Sequence, residues 1–198
     1  MRTISRLVLA GCALAGCAPP ALGPPPLPFV AGQDTEIGGV LAGGGVVPPD
    51  ESLGCHGLLG CAGASGGFYA NYELHDRLEV GGMAFAGNTS LGGGGGFVRF
   101  WYLDSEVFRL GGELSAGWLW ASVGVPVARR VGPVWLWTAP SAGLRYFSLL
   151  RLPVGVAAQP TEHLTVSGEV SLGWDPWWLY QDPSTVFVSS ALSVGWRW

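Results

Sequence analysis

Beyond residue 35, apolar and polar residues alternate one by one along most of the chain, the pattern of strands with two unlike faces. From Leu164 to Trp174 the even positions are Leu164, Val166, Gly168, Val170, Leu172 and Trp174, and the odd ones are Thr165, Ser167, Glu169, Ser171 and Gly173. From Val186 to Trp198 one face carries Val186, Val188, Leu192, Val194, Trp196 and Trp198. The other carries Phe187, Ser189, Ala191, Ser193, Gly195 and Arg197, and no helical three-four spacing competes. Comparable runs at about 35–46, 66–74, 77–87, 92–103, 107–118, 120–131, 134–145 and 148–158 bring the expectation to ten strands. Most exceed the roughly five or six residues of soluble sheets and match the roughly nine to eleven that a tilted membrane-crossing strand needs. Pro126, Pro140 and Pro153 fall inside three runs. They predict bulges or strand ends there, because proline brings no amide hydrogen to a ladder.

The connections alternate in length. His75-Asp76, Asp104–Glu106, Gly132-Pro133 and Gln159–His163 are short and turn-forming, whereas the others include the long stretches Val47–Ser65 and Asp175–Thr185. An even-numbered antiparallel barrel with short turns at one membrane face and longer loops at the other has this form. It brings both termini to the short-turn side. With the first strand running outward, Trp101, Tyr102, Trp135, Trp137, Trp196 and Trp198 fall at the inner level. Trp118, Trp120, Tyr146, Phe147 and Trp174 fall at the outer level, so the aromatics read as two interfacial girdles.

Composition narrows the class. Of 198 residues 33 are glycine and ten tryptophan, only 12% are charged, and all ten basic residues are arginine. A chain this apolar can bury enough surface to fold, which excludes disorder. The glycines lack the three-residue period of collagen. A net charge of -4 without a basic cluster argues against a nucleic-acid partner.

Arg2 and Arg6 precede an apolar stretch, Leu7 to Gly16, which is the layout of a secretory signal and too short to span a bilayer as a helix. Leu14-Ala15-Gly16-Cys17 resembles the bacterial lipobox, better placed than the similar tetrad ending at Cys12. That resemblance implies acylation of Cys17 as the mature N-terminus and, with Ala18 after it, outer-membrane sorting by the lipoprotein machinery. Removing residues 1–16 leaves 8 basic against 14 acidic side chains, a charge of -6. The expected organisation is a signal peptide over 1–16, an acylated, proline-rich extended tether over 17–34, and a barrel over 35–198.

Signal, alternating strands and a C-terminal run ending in Leu192, Val194, Trp196 and Trp198 together resemble a small bacterial outer-membrane β-barrel protein. The resemblance implies an all-β, antiparallel, transmembrane up-and-down barrel of about ten strands, or eight if residues 35–74 form a plug or extension. It also implies outer-membrane lipid as surroundings, periplasmic anchoring with external loops exposed, and Trp196 and Trp198 as the signal read by the barrel-assembly machinery.

Parity sets Glu36, Glu73, Glu79, Glu113 and Glu169 with Arg99, Arg109, Arg130, Arg151 and Arg197 on the face opposite the apolar one. These are expected to form charge pairs across the lumen, either a closed polar core or a selectivity filter. Arg145 stays unassigned, because its strand carries tryptophans on the same parity. The glycines at 92–96 lack P-loop spacing and fit close approach of large aromatics instead. Cys55 and Cys61, in the first long loop, are expected to form a disulfide in an oxidising compartment, not a metal site. His56, with Glu51 and Ser65 nearby, is the one place for a lipid-modifying triad. Trp177, Trp178 and Tyr180 form an external aromatic loop that suits lipid, glycan or a partner protein. The expected role is structural or surface-interacting and non-catalytic, with no cofactor. A narrow pore, a lipid-modifying enzyme and a soluble lipid-anchored β-sandwich are the alternatives.

Overall fold

The computed structural model describes residues 35–47, 63–87, 93–117, 120–144, 150–174 and 186–198. The expected signal peptide and tether lie outside these residues. Twelve strands are present: β1 (Thr35–Val47), β2 (Gly63–His75), β3 (Leu78–Gly87), β4 (Gly93–Asp104), β5 (Phe108–Gly117), β6 (Trp120–Gly124), β7 (Val127–Val131), β8 (Val134–Thr138), β9 (Ser141–Leu144), β10 (Leu150–Ala158), β11 (Leu164–Trp174) and β12 (Val186–Arg197). All pair antiparallel in one sheet, and β12 returns to β1 from Glu36↔Arg197 to Val47↔Val186. The sheet is therefore a closed barrel.

β6 and β7 both pair with β5, and β8 and β9 both pair with β10, so each couple is one stave of the wall interrupted in its middle. The wall thus has ten staves. β1 and β2 belong to it, which removes the eight-strand reading with a plug, and a single closed sheet removes the sandwich.

The two interruptions sit at Pro126 and Pro140, where the ladder lacks an amide hydrogen. Neighbouring groups bridge them: Gly111 N donates to Pro126 O at 2.9 Å, and Val125 N donates to Pro140 O at 2.9 Å. Pro153 stays inside β10, paired with Ser171 on β11. Its other side faces the break between β8 and β9, where Thr138 Oγ1 donates to Pro153 O at 2.6 Å. A bulge at Tyr102 on β4 adds to the same row of irregularities.

Alternation assigns the two faces. Large apolar side chains point outward on every long strand, among them Phe68 (74% exposed), Leu114 (61%) and Leu192 (68%). Inward positions carry the polar and charged residues together with the largest rings. Five inward glycines make room for those rings. A Cβ on Gly38 would stand 2.5 Å from Tyr69 Oη, one on Gly81 2.5 Å from Phe97 Cζ, and one on Gly111 2.9 Å from Trp101 Cε3. Gly155 and Gly195 are crowded in the same way by Trp137 and by Tyr69.

The short connections 76–77, 105–107, 132–133 and 159–163 gather at one end of the barrel with Thr35 and Trp198. We call it the turn end. Gly132 takes a φ of 60° in the hairpin between β7 and β8, a left-handed conformation that glycine adopts without a steric penalty.

Candidate functional site

The lumen is the one place where polar chemistry converges among the described residues. Glu73, Glu79, Arg99 and Glu113 are consecutive register neighbours on β2 to β5, a belt running across four of the ten staves. Arg99, 1% exposed, donates from Nη1 to Glu79 Oε2 at 3.0 Å. It also donates to Glu113 Oε2 from Nε at 3.0 Å and from Nη2 at 2.5 Å. Its guanidinium lies 4.8 Å from the centroid of Phe97 and 5.7 Å from that of Trp101, so rings cover the charge where carboxylates do not.

A second cluster surrounds Glu36, beside the closure. Glu36 accepts from Arg197 Nε, from Tyr69 Oη at 2.7 Å and from Thr165 Oγ1 at 3.1 Å. Arg151 pairs with Glu169 and donates from Nε to Ser171 Oγ at 3.3 Å. Arg109 Nη2 donates to Asp104 Oδ2 at 3.1 Å, with Nε 2.7 Å from Oδ1, and the guanidinium lies 5.4 Å from the Trp101 ring centroid. Hydroxyl pairs tie further staves together: Ser115–Ser122 at 2.8 Å, Ser167–Ser193 at 2.7 Å and Ser171–Ser189 at 2.6 Å.

Two expectations need correction. Arg130 does not enter the lumen: it is exposed at the end of β7, and its Nε donates to Gly132 O at 3.2 Å across the tight turn. Asp104, read from sequence as part of a turn, takes a place in the lumen through its register pairing with Arg109. The described lumen therefore holds six acids (Glu36, Glu73, Glu79, Asp104, Glu113, Glu169) against four arginines (Arg99, Arg109, Arg151, Arg197), not five against five. Glu73 is half-buried at the turn end.

The second correction concerns the inner girdle. Trp101, Trp135 and Trp137 are buried inside, packed with Ala128 and Ala157 as an apolar plug across the turn-end half of the lumen. Trp101 shares the parity of Arg99 on the same strand, the signal by which sequence could have placed it, whereas β8 carries no charge to mark the face of Trp135 and Trp137. The outward aromatics at this end include Tyr72, Phe100, Tyr102, Phe108, Trp196 and Trp198. Phe100 and Tyr102 meet edge to face at 5.4 Å. Trp196 stacks on His163, whose Nδ1 donates to Arg197 O at 3.0 Å. Trp174 is exposed at the far end.

Cys17, Cys55, Cys61, His56, Arg145, Trp118, Tyr146, Phe147, Trp177, Trp178 and Tyr180 lie outside the described residues. His75 and His163 are exposed at the turn end. Tyr69, Asn71 and the serine pairs are lumen groups the sequence reading passed over, although all share the parity of the charged residues.

No protein-family model and no curated protein matches the chain. Among solved structures it is similar to a triple mutant of Rhodopseudomonas blastica porin, with a TM-score of 0.38 at 16% identity over 83% of this chain and 56% of that one. Another variant of the Rh. blastica porin gives a TM-score of 0.37 at 15% identity over 68% and 44%. A structure titled as de novo design of transmembrane beta-barrels gives 0.38 at 12% identity over 84% and 98%. The chain spans about half the length of the porins it matches.

Proposed function

We propose that this chain is an integral outer-membrane barrel, anchored through Cys17, with a structural and surface-interaction role and no catalytic or conducting one. The supporting observation is the filling of the lumen. Arg99, Trp101 and Arg197 are each at most 3% exposed, and every lumen arginine is held by a carboxylate. A ten-stave barrel is narrow enough for its own side chains to fill it. Membrane residence draws on the outward face: its exposed valines, leucines and aromatics would form, in water, a far larger apolar patch than soluble monomers present. Lipid is the surrounding that accommodates them. The external loops are then the surface for a partner, with Trp177, Trp178 and Tyr180 as contacts. The lipoprotein-sorting machinery would act on Cys17 and the barrel-assembly machinery on Trp196 and Trp198.

Gel mobility of membrane-extracted protein, unboiled against boiled in SDS, tests residence, and planar-bilayer recording tests the seal. The expected results are a mobility shift on boiling and no current above the lipid baseline. Absence of a shift, with release from membranes once Cys17 is replaced, overturns the barrel-in-membrane reading. Discrete current steps that change in Arg99→Met or Glu113→Gln overturn the sealed lumen in favour of a narrow pore.

A further inference from the structure

Buried polar atoms are left incomplete at one place in the lumen. In the belt Glu73–Glu79–Arg99–Glu113, Arg99 is bonded to Glu79 and Glu113, and Glu73 stands beside Glu79 as its register partner. Arg99 directs its bonds to a single oxygen of each partner, and the other Glu79 oxygen, Oε1, has no hydrogen-bond partner in the protein although Glu79 is 3% exposed. Asn71 next to it is equally buried, and neither its Oδ1 nor its Nδ2 finds a partner. The Asn71 amide leans toward β3: a Cβ on Gly81, two residues from Glu79 on the same face, would stand 2.6 Å from Asn71 Oδ1. Glu73 follows Asn71 on the same face of β2 and sits directly across from Glu79. Polar atoms this deeply buried are nearly always completed by something, and here the protein does not supply it.

We propose that Asn71 Oδ1, Glu79 Oε1 and the Glu73 carboxylate hold one divalent cation of the calcium class at the turn-end mouth of the lumen. The donors are all oxygen, which suits a hard cation and disfavours zinc or copper. Among the described residues no three acidic, histidine or cysteine side chains converge. The third protein oxygen is accordingly the amide's, and water completes the six to eight ligands calcium takes. A metal-bound water also accepts from Asn71 Nδ2. Half-buried Glu73 gives the ion a route from solvent, so the site does not need an open lumen. This inference goes beyond the sealed scaffold and stands independently of membrane residence.

Calorimetric titration of calcium chloride into the full chain, refolded in a neutral detergent free of anionic lipid, tests it. One calcium ion per chain is expected, together with a rise in the thermal midpoint of the unboiled gel band that a chelator reverses. Glu79→Gln weakens binding about tenfold or more, and Asn71→Asp, which adds a third carboxylate, tightens it about tenfold. Asn71→Leu, which adds no charge, keeps the folded band and loses the calcium response. The proposal is overturned by absence of saturable binding, by equal affinity in wild type and Glu79→Gln, or by a folded Asn71→Leu that still responds. Equal affinities assign the ions to exposed acids such as Asp76 or Glu162.

Discussion

Gly155 and Trp137 are register partners across β10 and β8, and the indole occupies the space a side chain on Gly155 would need: a Cβ there would stand 2.5 Å from Trp137 Cζ2. Gly155→Ala is therefore expected to cost about 1–3 kcal/mol, the penalty of overpacking a filled core. Gly39→Ala is the contrast. That glycine points outward and its Cβ would meet only Gly67 O at 3.8 Å, so stability should hold within about 0.5 kcal/mol. Urea midpoints of the unboiled gel band in lipid vesicles separate the two.

Arg99→Met leaves the Glu79 and Glu113 carboxylates buried without their shared cation. A loss of about 3–5 kcal/mol is expected, because an uncompensated buried charge costs more than the intact pair contributes. Adding Glu79→Gln and Glu113→Gln to the same chain should recover most of that loss. Failure of the triple variant to recover would place the effect in the stacking of Arg99 on Phe97 and Trp101.

Val154 lies midway along β10, 59% exposed on the apolar face. In bilayers Val154→Arg is expected to destabilise by about 2–4 kcal/mol, while Leu74→Arg, near the turn end of β2, should cost about 0–1 kcal/mol. Equal, small effects at both depths would contradict a lipid-facing wall.

Thr138 bridges the broken stave by donating to Pro153 O. Thr138→Val removes that bond at constant volume and should cost about 1–2 kcal/mol, read from the same urea midpoints.

Trp196 and Trp198 project outward from the last strand at 49% and 61% exposure. Replacing both by alanine is expected to lower the amount of heat-modifiable protein in cells several-fold while leaving refolding of the pure chain into vesicles little changed. A parallel loss in both assays would make the two rings structural, not a signal.

The wall was legible from sequence because its cause is local. Each stave needs only alternation, and Leu164–Trp174 recurs in the structure with the same bounds. Pro126 and Pro140 end strands as the missing amide hydrogen requires, whereas Pro153 does not, because its fate depends on a break in the neighbouring stave that no local pattern encodes. The lumen was legible in its chemical type but not in its pairing. Parity selected Arg99, Glu79 and Glu113, yet only register brings Asp104 to Arg109 or two carboxylates to one arginine. Trp101 carries its inward signal in the parity of Arg99 on the same strand, but Trp135 and Trp137 lie on a stave piece without charge, where only packing decides the face. The space for those rings inside comes from distant glycines such as Gly111 and Gly155.

The closing contact between Glu36 and Arg197 joins residues 161 positions apart. At a synthesis rate of roughly 5–20 residues per second, the first stave is made about 8–30 s before the strand that completes it. Throughout that interval the chain has an exposed edge on β1 and no β12 to cover it, which is the condition under which unpaired strands join the wrong partner. Survival of the nascent chain therefore depends on being held unfolded until its last dozen residues arrive. A shortened transcript that ends before β12 should yield an aggregate or a degraded fragment, not a smaller barrel.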